Sequence, residues 1–411
     1  MRTSRGWIGV FTLMLLMGAG SALPVAARQG TPPASPVAPS SDLARLGWQA
    51  VEQRQLAVDG EVVAISPDGR WLAGVRGAAQ FCIWDIGTLQ PSCDDRYLPV
   101  YPDTISWAPD SSAVAFSLLP AMADSDLYLF EVAAKELRNL TDDGLEETVE
   151  IALADEPVAI DTFPTWSPDA RELGFARTTL AADEPGATSI MRIGREGGAP
   201  RAVVFLGPPE PYLILSPMHW LTDDTLLFAI ERSAPPFQQD GIWRIGVDGD
   251  DPRQVLTRRT VPEMARPRIA DVTPDGRTAS VFSQAKVAQG LLADDAFALF
   301  DLASGDLAPV VPAVDATAYV TTPPRFSPDG ASAVFSVAME TTTQQMAPLV
   351  VMNMTTGDQA TVVPYLVPAS TVQGSGFQWV ADDTILGLVT VKTPVAASTP
   401  MLLTLVPVGG T

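Results

Sequence analysis

The segment Phe326-Ser327-Pro328-Asp329-Gly330 is one copy of a phrase that recurs at intervals of roughly fifty residues. Each copy has an apolar or aromatic residue, two residues that are usually small, and then Asp. Seven copies are present, anchored at Asp68, Asp110, Asp169, Asp223, Asp275, Asp329 and Asp382. Successive anchors are 42, 59, 54, 52, 54 and 53 residues apart, which is typical of four-stranded propeller blades.

The phrase has the chemistry of a tight turn. Pro presets φ, Asp accepts hydrogen bonds from the backbone two residues on, and Gly adopts a positive φ. An apolar run follows each copy, as in Val334-Phe335-Ser336-Val337, and indicates a buried strand. The phrase is therefore predicted to be a corner between strand a and strand b, and two further strands, c and d, complete each repeat.

The seventh repeat lacks a strand d of its own, because Thr411 follows soon after its strand c. Near the other end, Gln53-Arg54-Gln55-Leu56-Ala57 is similar to a strand d, Arg253-Gln254-Val255-Leu256-Thr257. We therefore predict an all-β fold for residues 43–411: a seven-bladed β-propeller of four-stranded antiparallel blades. The N-terminal strand would close the last blade and leave no free edge.

The N-terminus has the features of an export signal. Arg2 and Arg5 precede an apolar stretch at 8–19, and Val25-Ala26-Ala27 is a small-residue cleavage site. Residues 1–27 are predicted to be a signal peptide, and the Pro-, Ser- and Ala-rich residues 28–42 an extended linker. No later stretch is apolar for long enough to form a membrane helix, so we expect an extracytoplasmic protein that is secreted, periplasmic or associated with the cell surface.

Two cysteines, Cys82 and Cys93, bracket an outgoing strand and a turn. Their sulfurs would face each other across a hairpin, and an oxidising compartment favours their pairing. We predict a structural disulfide between them.

The chain is acidic, with 48 Asp and Glu against 26 Lys and Arg and a formal net charge of −22. Such a charge repels phosphate backbones and anionic lipid, which excludes nucleic-acid binding and attachment to a membrane surface. Proteins or components of the cell envelope remain as expected partners, and the mature chain is predicted to be a monomer without membrane insertion.

The repeats resemble the WD40-like (PD40) propeller repeats of the TolB type, whose signature is the aromatic-Ser-Pro-Asp-Gly corner followed by an apolar strand. The resemblance covers roughly residues 48–411 and implies a propeller fold. TolB itself is similar only in its propeller, which has six blades and follows a separate α/β domain. Related propellers precede serine-hydrolase domains in prolyl-peptidase-like enzymes, but this sequence has no Gly-x-Ser-x-Gly elbow.

Loop lengths vary in two places, between strands b and c and between strand d and the next strand a. In an antiparallel blade both lie on one face of the ring, which we name the loop face, and the Asp-containing corners lie on the opposite, corner face. Binding residues are expected on the loop face. Its most acidic loop contains Asp142, Asp143, Glu146, Glu147 and Glu150. Either this loop is solvated and no cofactor binds, or its oxygens bind calcium.

A second candidate site lies in strand a. The residue just before the aromatic position is His219, Asp271 and Arg325 in three consecutive repeats, and the propeller places these near the central channel. They form either a polar site with His219 as base or a satisfied network between blades, for instance with Asp271 paired to Arg325. The aromatic series that follows them, Trp107, Trp166, Trp220, Phe326 and Trp379, is predicted to pack between blades.

We find no recognisable catalytic constellation. The expected function is therefore a non-catalytic protein-binding or scaffolding module rather than an enzyme. The alternative is a propeller enzyme, such as a lyase, lactonase or glycosidase, with its site at the mouth of the central channel.

Overall fold

Seven antiparallel sheets of four strands follow one another along the chain in the computed structural model. The structure describes residues 43–77, 80–96, 98, 100–101, 104–118, 125–144, 157–180, 186–207, 212–213, 217–232, 240–257, 267–283, 297–311, 318–320, 322–339, 349–363, 377–381, 383–391 and 397–407. The predicted signal peptide and linker, residues 1–27 and 28–42, lie outside the described residues.

The first strand, β1 (Trp48–Gln55), follows a 3-10 helix at Leu43–Leu46 and precedes the repeats. Blade one consists of β2 (Glu61–Ile65), β3 (Trp71–Arg76), β4 (Gln80–Asp85) and β5 (Pro91–Cys93). Blade two consists of β6 (Ser106–Trp107), β7 (Ala113–Ser117), β8 (Leu127–Glu131) and β9 (Glu136–Asn139). Blade three consists of β10 (Val158–Trp166), β11 (Glu172–Leu180), β12 (Ala187–Gly194) and β13 (Arg201–Gly207).

In blades four and six the first strand is in two pieces. Blade four consists of β14 (Tyr212–Leu213) and β15 (His219–Trp220), then β16 (Thr225–Arg232), β17 (Gly241–Gly246) and β18 (Arg253–Thr257). Blade five consists of β19 (Pro267–Val272), β20 (Thr278–Ser283), β21 (Phe297–Asp301) and β22 (Leu307–Pro309). Blade six consists of β23 (Ala318–Val320) and β24 (Arg325–Phe326), then β25 (Ser332–Met339), β26 (Leu349–Asn353) and β27 (Gln359–Val363).

Blade seven consists of β28 (Phe377–Ala381), β29 (Thr384–Val391), β30 (Ala397–Pro407) and, as its outer strand, β1. The N-terminal strand therefore closes the last blade, as predicted. β1 pairs antiparallel with β30, for example Val51 with Leu405 and Gln55 with Met401. This pairing satisfies the backbone groups along the outer edge of β30, which would otherwise be an open sheet edge.

The blades form a ring. Neighbouring blades contact each other mainly through their first strands, and β28 of blade seven contacts β2 of blade one. The first strands therefore surround a central channel, and strands d lie at the outside. The seven-bladed propeller is confirmed.

The corners use their Ser and Asp side chains in one repeated arrangement. In blade three the Ser167 hydroxyl donates to Asp169 Oδ1 at 2.8 Å, and Asp169 Oδ1 accepts from the Arg171 backbone N–H at 3.2 Å. Ser167 Oγ also accepts from the backbone N–H of Glu172 at 2.9 Å. The same pattern recurs in blades one, five and six. These hydrogen bonds lower the pKa of Asp169, so the corner aspartates of these four blades are turn-formers, as expected from the sequence.

The predicted disulfide is confirmed. Cys82 and Cys93 are bonded with a Cα–Cα distance of 4.1 Å, and they face each other directly in the pairing of β4 with β5. β5 has only three residues. The covalent link therefore holds a short outer strand in place, and it indicates an oxidising compartment.

Strands b and c carry the core. All five residues of β7 are buried, and large buried side chains such as Phe116, Phe175, Phe228 and Phe335 pack between adjacent sheets. This rigid ring positions the ends of its strands on two faces. No helix within the described residues combines the length and apolar content needed to cross a bilayer.

Candidate functional site

The structure brings His219, Asp271 and Arg325 together on the first strands of blades four, five and six; we name them the channel cluster. All three side chains are half-buried. Arg325 and Asp271 lie on adjacent strands: Arg325 donates to the backbone oxygen of Ala270, and Asp271 accepts from the Phe326 N–H. The charge of Arg325 lowers the pKa of both His219 and Asp271. His219 and Arg325 directly precede their corners, so the cluster lies toward the corner face rather than the loop face.

Asp271 joins blade five to blade six. Its Oδ2 accepts from the backbone N–H of Phe326 at 2.7 Å, and its Oδ1 accepts from that of Val272 at 2.9 Å. Gln378 makes the equivalent contact from blade seven to blade one, where its Oε1 accepts from the Ile65 N–H at 3.3 Å. Burial raises the pKa of Asp271, and the Arg325 charge and these hydrogen bonds oppose that shift. Asp271 therefore has a structural role between blades.

The hydrogen-bonding groups of Arg325 and His219 have fewer partners than those of Asp271. Arg325 donates to the backbone oxygen of Ala270, and burial lowers its pKa. The described residues show no hydrogen bond or ion pair between Arg325 and Asp271, so the pair suggested from the sequence is not a direct contact. Burial and the Arg325 charge lower the pKa of His219 to about 4. His219 Nε2 is buried and has no hydrogen-bond partner in the described part of the chain.

The aromatic series packs between blades, as expected. Trp166 and Trp379 are buried, and their indole N–H groups donate to the backbone oxygens of Ser106 at 3.0 Å and Arg325 at 2.9 Å. Each of these bonds reaches the preceding blade. Stacking on a carbohydrate is not a role for these rings, because their faces are part of the core.

A second polar group lies at the loop-face ends of blades two and three; we name Asp126, Asn139, Thr141, Asp161 and Arg177 the rim cluster. Asp161 and Arg177 form a bidentate pair, with Arg177 Nε to Oδ1 at 2.7 Å and Nη2 to Oδ2 at 2.6 Å. Asp126 accepts from Asn139 Nδ2 at 2.6 Å and from the Thr141 hydroxyl at 3.1 Å. The Thr141 side chain also lowers the pKa of Asp161, so it acts on both carboxyl groups.

The two carboxyl groups of the rim cluster have different surroundings, although both are buried. Asp161 is paired with a cation. Burial raises the pKa of Asp161, and the hydrogen bonds and charge of Arg177 oppose that shift. Asp126 has only neutral donors. Burial raises its pKa, Asp142 and Asp143 add to the shift, and Asn139 and Thr141 oppose it. Carboxyl groups whose surroundings differ in this way are suited to hold a proton on one member and a negative charge on the other.

Sequence reasoning missed the rim cluster as a unit, because its members come from four strands or strand ends. The usable signal was a charged residue at the end of an apolar strand, as with Arg177 after Phe175-Ala176. Of the predicted acidic loop, Asp142 and Asp143 are exposed, and Glu146, Glu147 and Glu150 lie outside the described residues. A similar buried pair, Glu231 with Arg268 at 2.5 Å, lies at the loop-face ends of blades four and five.

Among the residues that the structure describes, no three His, Cys, Asp or Glu side chains are grouped so that they could hold a metal ion. The calcium site suggested for the acidic loop stays a prediction, since part of that loop is not described.

No family model and no curated protein sequence matches the chain. Solved structures do match. An oligogalacturonate lyase in complex with manganese has a TM-score of 0.55 at 15% identity, and oligogalacturonate lyase from Vibrio parahaemolyticus has 0.59 at 12%; both matches cover 90% of this chain and 96% of that chain. The chain shares its fold with these lyases. TolB from Acinetobacter baumannii has a TM-score of 0.42 at 14% identity, over 77% of this chain and 65% of that chain.

These matches correct the expectation of a non-catalytic scaffold and the prediction that the chain is not an enzyme. The two lyases are enzymes, and 96% of each is spanned by the same architecture, so they need no separate catalytic domain. The expectation was wrong because it relied on a recognisable local motif. A propeller site is assembled from strand ends that are far apart in the sequence. The part of the TolB-type resemblance that the structure confirms is the propeller fold.

Proposed function

We propose that the protein is an extracytoplasmic enzyme that cleaves glycosidic bonds in oligosaccharides, with its reaction at the loop-face end of blades two and three. The observation that carries the proposal is the pair of buried carboxyl groups in the rim cluster, Asp126 and Asp161, in different electrostatic surroundings. The fold shared with two oligogalacturonate lyases over 90% of the chain supports the substrate class. The disulfide and the predicted signal peptide support the compartment.

Cleavage of a glycosidic bond needs a proton for the oxygen of the leaving sugar. Asp126 is the proton donor in this proposal, because its carboxyl group has neutral hydrogen-bond donors and no paired cation, and burial raises its pKa. Asp161, ionised beside Arg177, is the base in this proposal. It takes a proton either from a water that adds to the anomeric carbon, as in hydrolysis, or from C5 of a uronic acid, as in elimination to an unsaturated sugar. Once Asp126 has lost its proton, the Thr141 hydroxyl and the Asn139 amide donate to its carboxylate, as they do in the structure.

Manganese is named with one of the lyases, but the described residues contain no group of donors that fits a metal ion.

The test is an activity assay on the mature chain. Oligogalacturonates are followed by the ultraviolet absorbance of an unsaturated product, and neutral oligosaccharides by release of reducing ends. With a cleaved substrate, Asp126→Asn should lower kcat by about 100-fold or more, because it removes the proton donor. It should leave the Tm nearly unchanged, since an amide resembles the protonated acid in shape.

Asp95→Asn is the matched control, because Asp95 is an exposed aspartate of blade one, outside the rim cluster. It should retain activity within about twofold. Failure to cleave any member of the panel would overturn the proposed function. Full activity of Asp126→Asn would remove the reaction from the rim cluster.

A further inference from the structure

The residue before the aromatic position of strand a accepts a hydrogen bond from the next blade in two blades, but not in blades four and six. Asp271 and Gln378 each accept a hydrogen bond from the backbone N–H at the apolar position of the next blade, Phe326 and Ile65 respectively. His219 and Arg325 occupy the same position in blades four and six. Neither makes this contact.

The contact between blades four and five explains why His219 has no backbone N–H to accept from. The N–H that an acceptor at position 219 would bind belongs to Val272, and it is already bonded to Asp271 Oδ1 at 2.9 Å. His219 Nε2 is buried and has no partner among the described residues. Since a buried polar atom without a partner is costly, this nitrogen is a point where a ligand atom would be favoured.

Arg325 is the second exception, because a guanidinium has only donors and cannot accept from the next blade. One of its five N–H groups donates to the backbone oxygen of Ala270. No carboxylate among the described residues lies within ion-pair distance of it. Asp271, whose charge acts on the pKa of Arg325, has both oxygens occupied by backbone N–H groups. The guanidinium therefore keeps N–H donors that have no acceptor among the described residues.

We propose that the corner-face end of the central channel binds a small anion between the Arg325 guanidinium and the His219 imidazole. The ligand chemistry is a halide, an inorganic oxyanion or a carboxylate. Arg325 supplies the charge and two or more N–H donors, and His219 supplies one N–H from its Nε2. The neutral form of His219 suffices, since a neutral imidazole has one N–H donor. This site lies at the opposite end of the inner strands from the rim cluster and does not depend on the proposed enzyme activity.

Two features make the expected affinity modest. Asp271 lies near the site, and the chain as a whole carries a formal charge of −22. General attraction of anions to such a protein is unfavourable, so a stabilising effect of a specific anion is diagnostic.

The test measures Tm at pH 7 and constant ionic strength while a bulky sulfonate is exchanged for acetate or for inorganic phosphate. At about ten times the dissociation constant, the Tm of the wild-type protein should rise by about 1–2 °C with a bound anion. Arg325→Gln should abolish the rise, and Arg325→Lys should retain part of it because the charge remains. Arg277→Gln removes an arginine that is 80% exposed and should behave like the wild type.

The acetate and phosphate arms distinguish a carboxylate site from an oxyanion site. No rise with either anion, or an equal rise in wild type and Arg325→Gln, would overturn the proposal. Crystals of the wild-type protein soaked in bromide provide a measurement that needs no variant. An anomalous peak within hydrogen-bonding distance of Arg325 supports the site, and an empty channel contradicts it.

Discussion

The rim cluster and the channel cluster both place an aspartate and an arginine in partly or fully buried positions, but they satisfy them differently. In the rim cluster Asp161 and Arg177 bind each other through two short hydrogen bonds. In the channel cluster Asp271 binds two backbone N–H groups and Arg325 binds a backbone oxygen. The repeat dictates the backbone partners in the channel, whereas the loop-face ends are free to vary. The direct pair of buried charges in the rim cluster therefore lies at ends that the repeat does not constrain.

The largest expected effect comes from breaking the direct pair. Arg177→Met leaves the Asp161 carboxylate buried without its cation, and the free energy of unfolding should fall by about 3–5 kcal/mol. Urea denaturation at pH 7 measures this change.

Arg171→Met is the matched control, because Arg171 faces Asp169 across 3.7 Å at the surface and its side chain is 85% exposed. It should change the stability little, since exposed ion pairs contribute little. If the two variants are equally stable, the contrast between buried and surface pairs is wrong.

The second largest effect is a loss of stability at acid pH caused by His219 of the channel cluster. His219 has a pKa of about 4 in the folded protein and 6.5 as its ordinary value, so the unfolded chain binds the extra proton first as the pH falls. The free energy of unfolding is unaffected by His219 above pH 6.5. Between pH 6.5 and 4 it falls by up to about 3 kcal/mol, because the unfolded chain takes up the proton. Asp271 opposes this loss near pH 4, because its pKa is raised on folding.

Denaturation of the wild type and of His219→Gln at pH 7 and at pH 4.5 isolates this contribution, since glutamine does not titrate. The wild type should lose more stability between the two pH values than the variant. Identical losses would show that His219 is not the titrating group.

The smallest effects should separate a charged from a neutral contact between blades. Asp271→Ala removes a carboxylate acceptor and should cost about 2–3 kcal/mol, whereas Gln378→Ala removes a neutral acceptor at 3.3 Å and should cost about 1 kcal/mol. Urea denaturation of the two variants measures both losses in the free energy of unfolding. A larger loss for Gln378→Ala would reverse this order and contradict the role given to Asp271.

Much of the fold could be predicted from the sequence, because it depends on local signals that are repeated seven times. Asp169 marks a corner through hydrogen bonds to residues at most four positions away, and an apolar run follows each corner. The closing strand was predictable because an incomplete seventh repeat needs a partner. The disulfide was predictable from two cysteines on one hairpin.

The candidate site was harder. His219, Asp271 and Arg325 could be placed near the channel because they share a repeat position, but their hydrogen-bond partners could not. The rim cluster shares no repeat position. Asp126 and Asp161 are 35 positions apart in the numbering, and nothing local shows that Thr141 acts on both of them.

The sequence by itself determined the number of blades, the corners, the disulfide and the strand that closes the ring, since each is encoded by neighbouring residues or by a repeated period. Only the tertiary structure decided which buried charges pair with each other and which bind the backbone. Those partners depend on distances between strands of different blades, and such distances exist only after the sheets have packed around the channel.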